Sequence, residues 1–478
     1  MPQPSHDVIA RRHTNALQPI SRLPNELLTL IFRIVRDYEE LDDRTSHRWM
    51  KVLRVCRHWY ILGVNVPLLW TTVTLRGGKD CVEAILARSR DALLDVNLDD
   101  AVLCDADAQS CTNEVLKEAH RLRSLKMTLH PTYWNPSGFE DSPGMLEILD
   151  LTVRYNFKGG QLSVTKIFDA SSDWPFTSGL PSLHTLALSV DRSIHGVLQI
   201  PGLRSLHIQV PRSRMGDAFS ESPDFAFTYK LRDLLASLDG MPLLEDVKLS
   251  WCIPSNASEI TRDKKVRLAN LECLVLVDRD IRVSHFLSFL DLPTSASIKL
   301  DVQASREDHL LSLVHAIPPL FTSNLPEGAH ESRTLRSLTM QVQAVAVHSQ
   351  TVPTMLYLTG CTCDHACLCG GVGIWYCPDH NFRIQIFYCH DRFAPWTRFV
   401  GLRELFALLP FDQVHTLLVQ GFRTSSALQL LGWDDLEKLL QPARSRHFDI
   451  LPDSKTDEFP EMESIREQLS GLSTLCFA

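Results

Sequence analysis

A short unit of the form Leu-x-x-Leu-x-Leu returns along most of this chain, and it limits the possible folds more than any other feature. It stands at Leu122, Leu125 and Met127, at Leu146, Leu149 and Leu151, at Leu183, Leu186 and Leu188, and at Leu203, Leu206 and Ile208. Further copies lie at Leu244, Val247 and Leu249, at Leu271, Leu274 and Leu276, at Leu335, Leu338 and Met340, and at Val414, Leu417 and Val419. Alternation in the second half of each copy predicts a strand with one buried face, and the first Leu packs under the turn that enters it. Weaker copies fall at 93–98, 298–302, 382–388 and 472–477. Between copies, residues 80–90, 111–121, 229–238, 283–290 and 306–317 read as helices. Like strands separated by helices predict stacked units that share one continuous core.

Ahead of the first copy, residues 20–75 carry a different periodicity. Pro24 suits a first helical turn, where its missing N–H is not needed. Leu27, Leu28, Ile31, Ile34 and Val35 then recur at steps of three and four, predicting a helix that ends near Asp37, with the acidic run at 39–43 as a loop. Trp49, Val52, Val55, Cys56, Trp59 and Tyr60 predict a second helix, ended by Gly63. Pro67, Leu68, Leu69 and Trp70 form a turn that feeds a β-rich stretch at 71–75. A unit of about 55 residues cannot bury all of this apolar surface on its own, so a leftover patch is left for a partner.

The pattern Leu23-Pro24-x-Glu26-Leu27-Leu28-x-x-Ile31-Phe32, then Val55-Cys56-Arg57-x-Trp59, then Pro67-x-Leu69-Trp70, resembles an F-box, and the chain resembles fungal F-box proteins. That resemblance implies docking on a Skp-type linker protein, and through it on a cullin-based ubiquitin ligase, with the rest of the chain holding a protein substrate. The linker contacts it implies are Leu23, Pro24, Leu27, Leu28, Ile31, Val55, Cys56 and Trp59. The recurring leucine unit is similar to a leucine-rich repeat. The intervals between first leucines are irregular, however, at 24, 37, 20, 41 and 27 from Leu122 to Leu271. The Asn or Cys that usually follows the repeat strand has no regular place here.

The expected fold is therefore α/β: a lead-in without structure at 1–19, a three-helix F-box-like unit at 20–70, and a divergent leucine-rich-repeat solenoid at 71–478. That solenoid would be horseshoe-like, with parallel strands alternating with helices. Its insertions at 134–143, 159–175, 211–227, 251–266 and 317–331 are polar loops, and loops on a rigid scaffold often carry recognition.

The 13 cysteines sit mostly in apolar patterns, which fits buried thiols in a reducing compartment better than disulfides, so cytosol or nucleus is the expected location. Residues 1–75 hold ten Lys and Arg against seven Asp and Glu, a net of +3, so with a total of −9 the remainder carries −12. An acidic body argues against nucleic acid as the main ligand. No apolar run is long enough to span a bilayer.

Six cysteines fall between 361 and 390. Cys361, Cys363, Cys367, Cys369, Cys377 and His380 are candidate structural zinc ligands, since thiolate and imidazole are what zinc prefers. The Cys-x-Cys spacing, unlike paired Cys-x-x-Cys knuckles, favours unligated loop thiols over zinc, with a redox role as a third reading, and no metal or other cofactor is assigned. No nucleophile elbow, P-loop, zinc-protease helix or dinucleotide fingerprint occurs, so no enzyme is expected. The preferred function is a substrate adaptor of a Skp–cullin–F-box ligase. Two alternatives stand beside it: a repeat scaffold whose helical front only caps the solenoid, and a zinc-stabilised module at 361–390.

Overall fold

A computed structural model describes residues 14, 17–40, 48–75, 78–98, 106–129, 144–153, 180–190, 198, 200–210, 231–254, 265–293, 295–304, 312–313, 315–316, 337–347, 350–361, 382–388, 416–420 and 476–477, the last five stretches by their backbone. The chain forms two compact units, Met1–Asp191 and Arg192–Ala478. The boundary expected at 70/71 lies inside the first of them.

In the first unit, helix α1 (Asn25–Glu40) runs three residues past its expected end and takes in Glu39 and Glu40. The second expected helix is corrected. Residues Arg48–Arg54 form a 3-10 helix, and α2 begins only at Arg57–Val64. Cys56 breaks the path: it is extended, and its Sγ accepts from the Trp59 backbone N–H at 3.5 Å as the cap of α2. A 3-10 turn at Pro67–Trp70 leads into strand β1 (Thr72–Thr74), as the sequence predicts. Helix α3 (Gly78–Ser89), strand β2 (Leu94–Leu98), helix α4 (Ala106–Leu116) and strands β3 (Leu122–Leu129), β4 (Ile148–Val153) and β5 (Thr185–Val190) follow. The five strands are parallel, and each pairs with the next in the chain.

The leucine pattern explains this register. Leu125 lies opposite Leu149, which lies opposite Leu186; Met127, Leu151 and Leu188 form the next rung. All six are buried, as are the entering leucines Leu122, Leu146 and Leu183. Each fully buried leucine contributes roughly 1.5–3 kcal/mol, and a one-residue slip would turn every rung to the other face. Arg121, almost wholly buried, locks the turn before β3. Its guanidinium donates to the Ser89 hydroxyl at 2.9 Å, the Ala92 carbonyl at 3.0 Å and the Leu86 carbonyl at 3.3 Å. The Ser89 hydroxyl itself donates to the Leu86 carbonyl at 2.9 Å, so Arg121 ties together the last turn of α3 and the chain just beyond it.

In the second unit, β6 (Ser205–Gln209), helix α5 (Leu231–Asp239), β7 (Asp246–Ser250), β8 (Val266–Arg267), β9 (Cys273–Arg279), helix α6 (Asp280–Ser288), β10 (Leu290–Asp291) and β11 (Ser297–Ala304) come first. Strands β6, β7, β9 and β11 are parallel neighbours, and β8 pairs with β10 apart from them. Leu206, Val247, Leu274 and Ile298 make one buried rung; Ile208, Leu249, Leu276 and Leu300 make the next. Ser237 on α5 donates to the Asp233 carbonyl at 2.7 Å and accepts from the Leu198 N–H at 2.9 Å. At the end of β9, the Asp278 carboxylate is wholly buried and accepts from the Ile253 and Arg279 backbone N–H groups at 3.0 and 2.8 Å. Burial pushes its pKa up, outweighing the Arg282 guanidinium 3.5 Å away.

Beyond β11 the expectation of parallel strands throughout is corrected. Strand β14 (Phe382–Tyr388) is parallel to β11, but β13 (Gln350–Cys361) runs antiparallel to β14 and to β12 (Ser337–Val347). Strand β15 (Thr416–Gln420) then lies parallel on β12, and β16 (Cys476–Phe477) parallel on β15. Residues 347 and 350 close a tight hairpin, and a hairpin can only join antiparallel neighbours. The architecture is mixed helix and strand, with parallel sheet behind a helical N-terminal region. Of the predicted helix at 306–317 only four residues are described, and the polar insertions lie largely outside the described residues.

Candidate partner-binding site

The helical front is built on α1, which has two apolar arcs side by side. Leu28 and Phe32, one helical turn apart, are fully buried. Phe32 meets Trp59 of α2 with ring centroids 5.1 Å apart. Trp49 reaches Trp70 edge-on at 5.2 Å, and the Trp70 indole N–H donates to the Gly63 carbonyl at 2.9 Å. Gly63 also leaves room for the Leu53 side chain, which would lie 2.2 Å from a Cβ there. Three tryptophans and a phenylalanine thus supply most of the core of a unit too small to have a larger one.

This front is fastened to the sheet that follows. The Arg88 guanidinium of α3 stacks 4.4 Å above the Trp70 ring. Arg36 of α1 is largely buried, donates to the Leu68 carbonyl and reaches the Thr71 hydroxyl at 3.3 Å. Two cations and one indole therefore join α1, the Pro67–Trp70 turn with Thr71 that leads into β1, and α3.

The second arc of α1 faces solvent. Leu27 is 47% exposed, Leu30 50%, Ile34 58% and Tyr38 76%, with Ile31 half-buried among them. At 100° per residue these five fall in an arc of roughly 100°, adjoining the buried one. Val55 is 55% exposed, and Tyr60, Ile61 and Leu68 are exposed as well. Single exposed leucines need no explanation, but this many on one small unit mark a contact surface.

The residues named from sequence divide accordingly. Pro24, Leu27 and Val55 are exposed, while Leu23, Ile31 and Cys56 are half-buried. Leu28 and Trp59 point into the core, so they hold the face up without forming it. Pro24 also helps to start α1, since its carbonyl accepts from the Leu28 N–H at 3.1 Å. Sequence reasoning missed Leu30, Tyr38, Tyr60, Ile61 and Leu68. The available signal was that α1 has more apolar residues than one arc can hold.

Of the candidate zinc ligands, Cys361 is the last residue of β13, and Cys363, Cys367, Cys369, Cys377 and His380 lie outside the described residues. Among the described residues no three His, Cys, Asp or Glu are placed to hold a metal, and no helix is long and apolar enough to cross a membrane.

No curated protein matches the chain. Residues 20–76 match the family model described as F-box-like, a segment that begins at Ile20, ahead of α1, and ends just after β1. The two-arc helix, its tryptophan core and its exposed apolar face are therefore those of an F-box-like domain.

Proposed function

We propose that this chain is the substrate-recognition adaptor of a Skp–cullin–F-box type ubiquitin ligase, acting in the cytosol or nucleus. The observation that carries the reading is the exposed arc of α1 within the segment that matches the F-box-like family. A Skp-type linker laid on Leu27, Leu30, Ile34 and Tyr38 would bury apolar surface that the chain leaves in water. At about 25 cal/mol per Å², a few hundred Å² is worth several kcal/mol before the cost of association. The chain's own part is non-catalytic. It holds a protein substrate on the leucine-ribbed body, which we read as a divergent leucine-rich-repeat solenoid, and so raises its effective concentration near the transfer machinery of the partner subunits. The in-register leucine rungs support that reading of the body.

The test is capture of a purified Skp-type linker by the full chain, wild type against Leu30→Glu with Ile34→Glu. Both side chains are at least half exposed, so the melting temperature should hold while capture falls at least about tenfold. Equal capture by the variant overturns the assignment. The alternative of a front that only caps the repeat body has the Trp70 seam in its favour, but it gives the exposed arc no role.

A further inference from the structure

The 3-10 helix Arg48–Arg54 arranges charge in a way an α-helix would not. With three residues per turn, side chains three apart eclipse one another. Arg48, Lys51 and Arg54 therefore form one ridge, roughly 12 Å long at ~2 Å per residue, and all three are exposed. The buried Trp49 fixes the rotation of the helix, so this ridge cannot turn inward. Arg57 and His58, also exposed, then open α2, whose first turn contains no acid. Cations at that end run against the helix dipole, and like charges at one-turn spacing repel.

Among the described residues, none of Arg48, Lys51, Arg54 and Arg57 has an ion-pair partner. Some exposed cations elsewhere do have an acidic neighbour, as Lys79 with Glu83, Lys117 with Glu114, Lys126 with Asp150 and Arg204 with Glu245; the 3-10 helix instead places three cations without one in a single row. Among those residues the ridge is thus an unneutralised local cost. It also continues directly into apolar contact surface, since Val55 follows Arg54, and Tyr60 and Ile61 lie one turn further on.

We propose that the ridge Arg48, Lys51 and Arg54, with Arg57 at the start of α2 beyond it, docks a carboxylate-rich face of the linker protein, next to the apolar contact. This rests on the adaptor reading above and adds the chemistry of the partner: an acidic protein surface, drawn in by charge and held by apolar burial. A body of −12 net charge disfavours a polyanion such as RNA as the occupant.

The experiment measures the Kd of the full chain for a purified Skp-type linker at about 50 and 500 mM NaCl, where the Debye length shrinks from roughly 14 to 4 Å. The wild type should bind about tenfold more weakly at high salt. Lys51→Glu with Arg54→Glu should weaken binding about tenfold or more at low salt and no longer lose affinity as salt rises, with an unchanged melting temperature. Lys51→Gln with Arg54→Gln should fall between. Salt-independent wild-type binding, or a reversal variant that binds as the wild type does, overturns the ridge and leaves the apolar-face reading intact. Failure of the wild type to bind at either salt overturns both, as would retention on single-stranded RNA in place of the linker.

Discussion

Replacing Trp70 by Ala should loosen the F-box-like domain and the first strands together. The indole is 1% exposed and has three kinds of contact: the edge of Trp49, the Gly63 carbonyl and the Arg88 guanidinium. A buried Trp-to-Ala change costs about 3–5 kcal/mol, with the Gly63 carbonyl left unsatisfied included in that range. For a unit the size of Met1–Asp191, at roughly 2–4 °C per kcal/mol, the melting temperature should fall by about 6–20 °C. Two units make a single bulk transition ambiguous, so the assay is peptide-resolved hydrogen exchange beside the melt. Peptides from α1, α2, β1 and α3 should all exchange faster, while those from α5 to β11 keep wild-type rates. Trp70→Phe keeps a ring but loses the N–H donor, and should cost about 1–2 kcal/mol. An Ala variant destabilised by less than about 1 kcal/mol, or one that loosens α1 and α2 but not β1 and α3, would refute the claim that Trp70 fastens the two parts.

Arg121→Ala should cost about 1–3 kcal/mol by denaturant midpoint, because it strips the Ala92 carbonyl of its donor and leaves the Leu86 carbonyl to the Ser89 hydroxyl alone; Arg121→Lys should not rescue it, lacking the planar fork. Ser237→Ala should cost about 1–2 kcal/mol and speed exchange at Leu198, whose N–H loses its acceptor; unchanged exchange there would contradict the geometry. For Asp278, the folded state keeps the proton over a pH window in which the unfolded chain has already released it. Its contribution to stability is present below the ordinary carboxylate range and is lost as pH rises toward the shifted value. Stability of the second unit should therefore decline across that window from about pH 4 upward, and Asp278→Asn should flatten the decline; an unaltered slope would show that another group titrates.

How much of this could be read beforehand depends on the range of the physics involved. Leu-x-x-Leu-x-Leu predicted strands because alternation and burial are local, and each copy from Leu122 to Leu271 has all three apolar positions buried. Strand direction is not local: β12 and β13 alternate like their neighbours, and nothing in that alternation says they run opposite ways. The break at Cys56 was hidden by the even spacing of Trp49, Val52 and Val55. Steps of three without a step of four fit a 3-10 helix better than an α-helix, and that distinction was there to be used. The candidate site was half legible. Leu27 and Val55 are where an exposed contact should be, but Leu28 and Trp59 share the same motif and serve the core, because a motif does not record which arc a residue occupies.

The strand order of the second unit has a consequence on the ribosome. In the first unit every strand finds its neighbour as soon as the next one emerges, so pairing can keep pace with synthesis. Strand β11, by contrast, emerges with one edge satisfied by β9 and must wait for β14, nearly eighty residues later, before the other is covered. For several seconds at about 5–20 residues per second, a row of unpaired backbone groups stays open to any other nascent strand, which makes this edge the place where a chaperone would be needed.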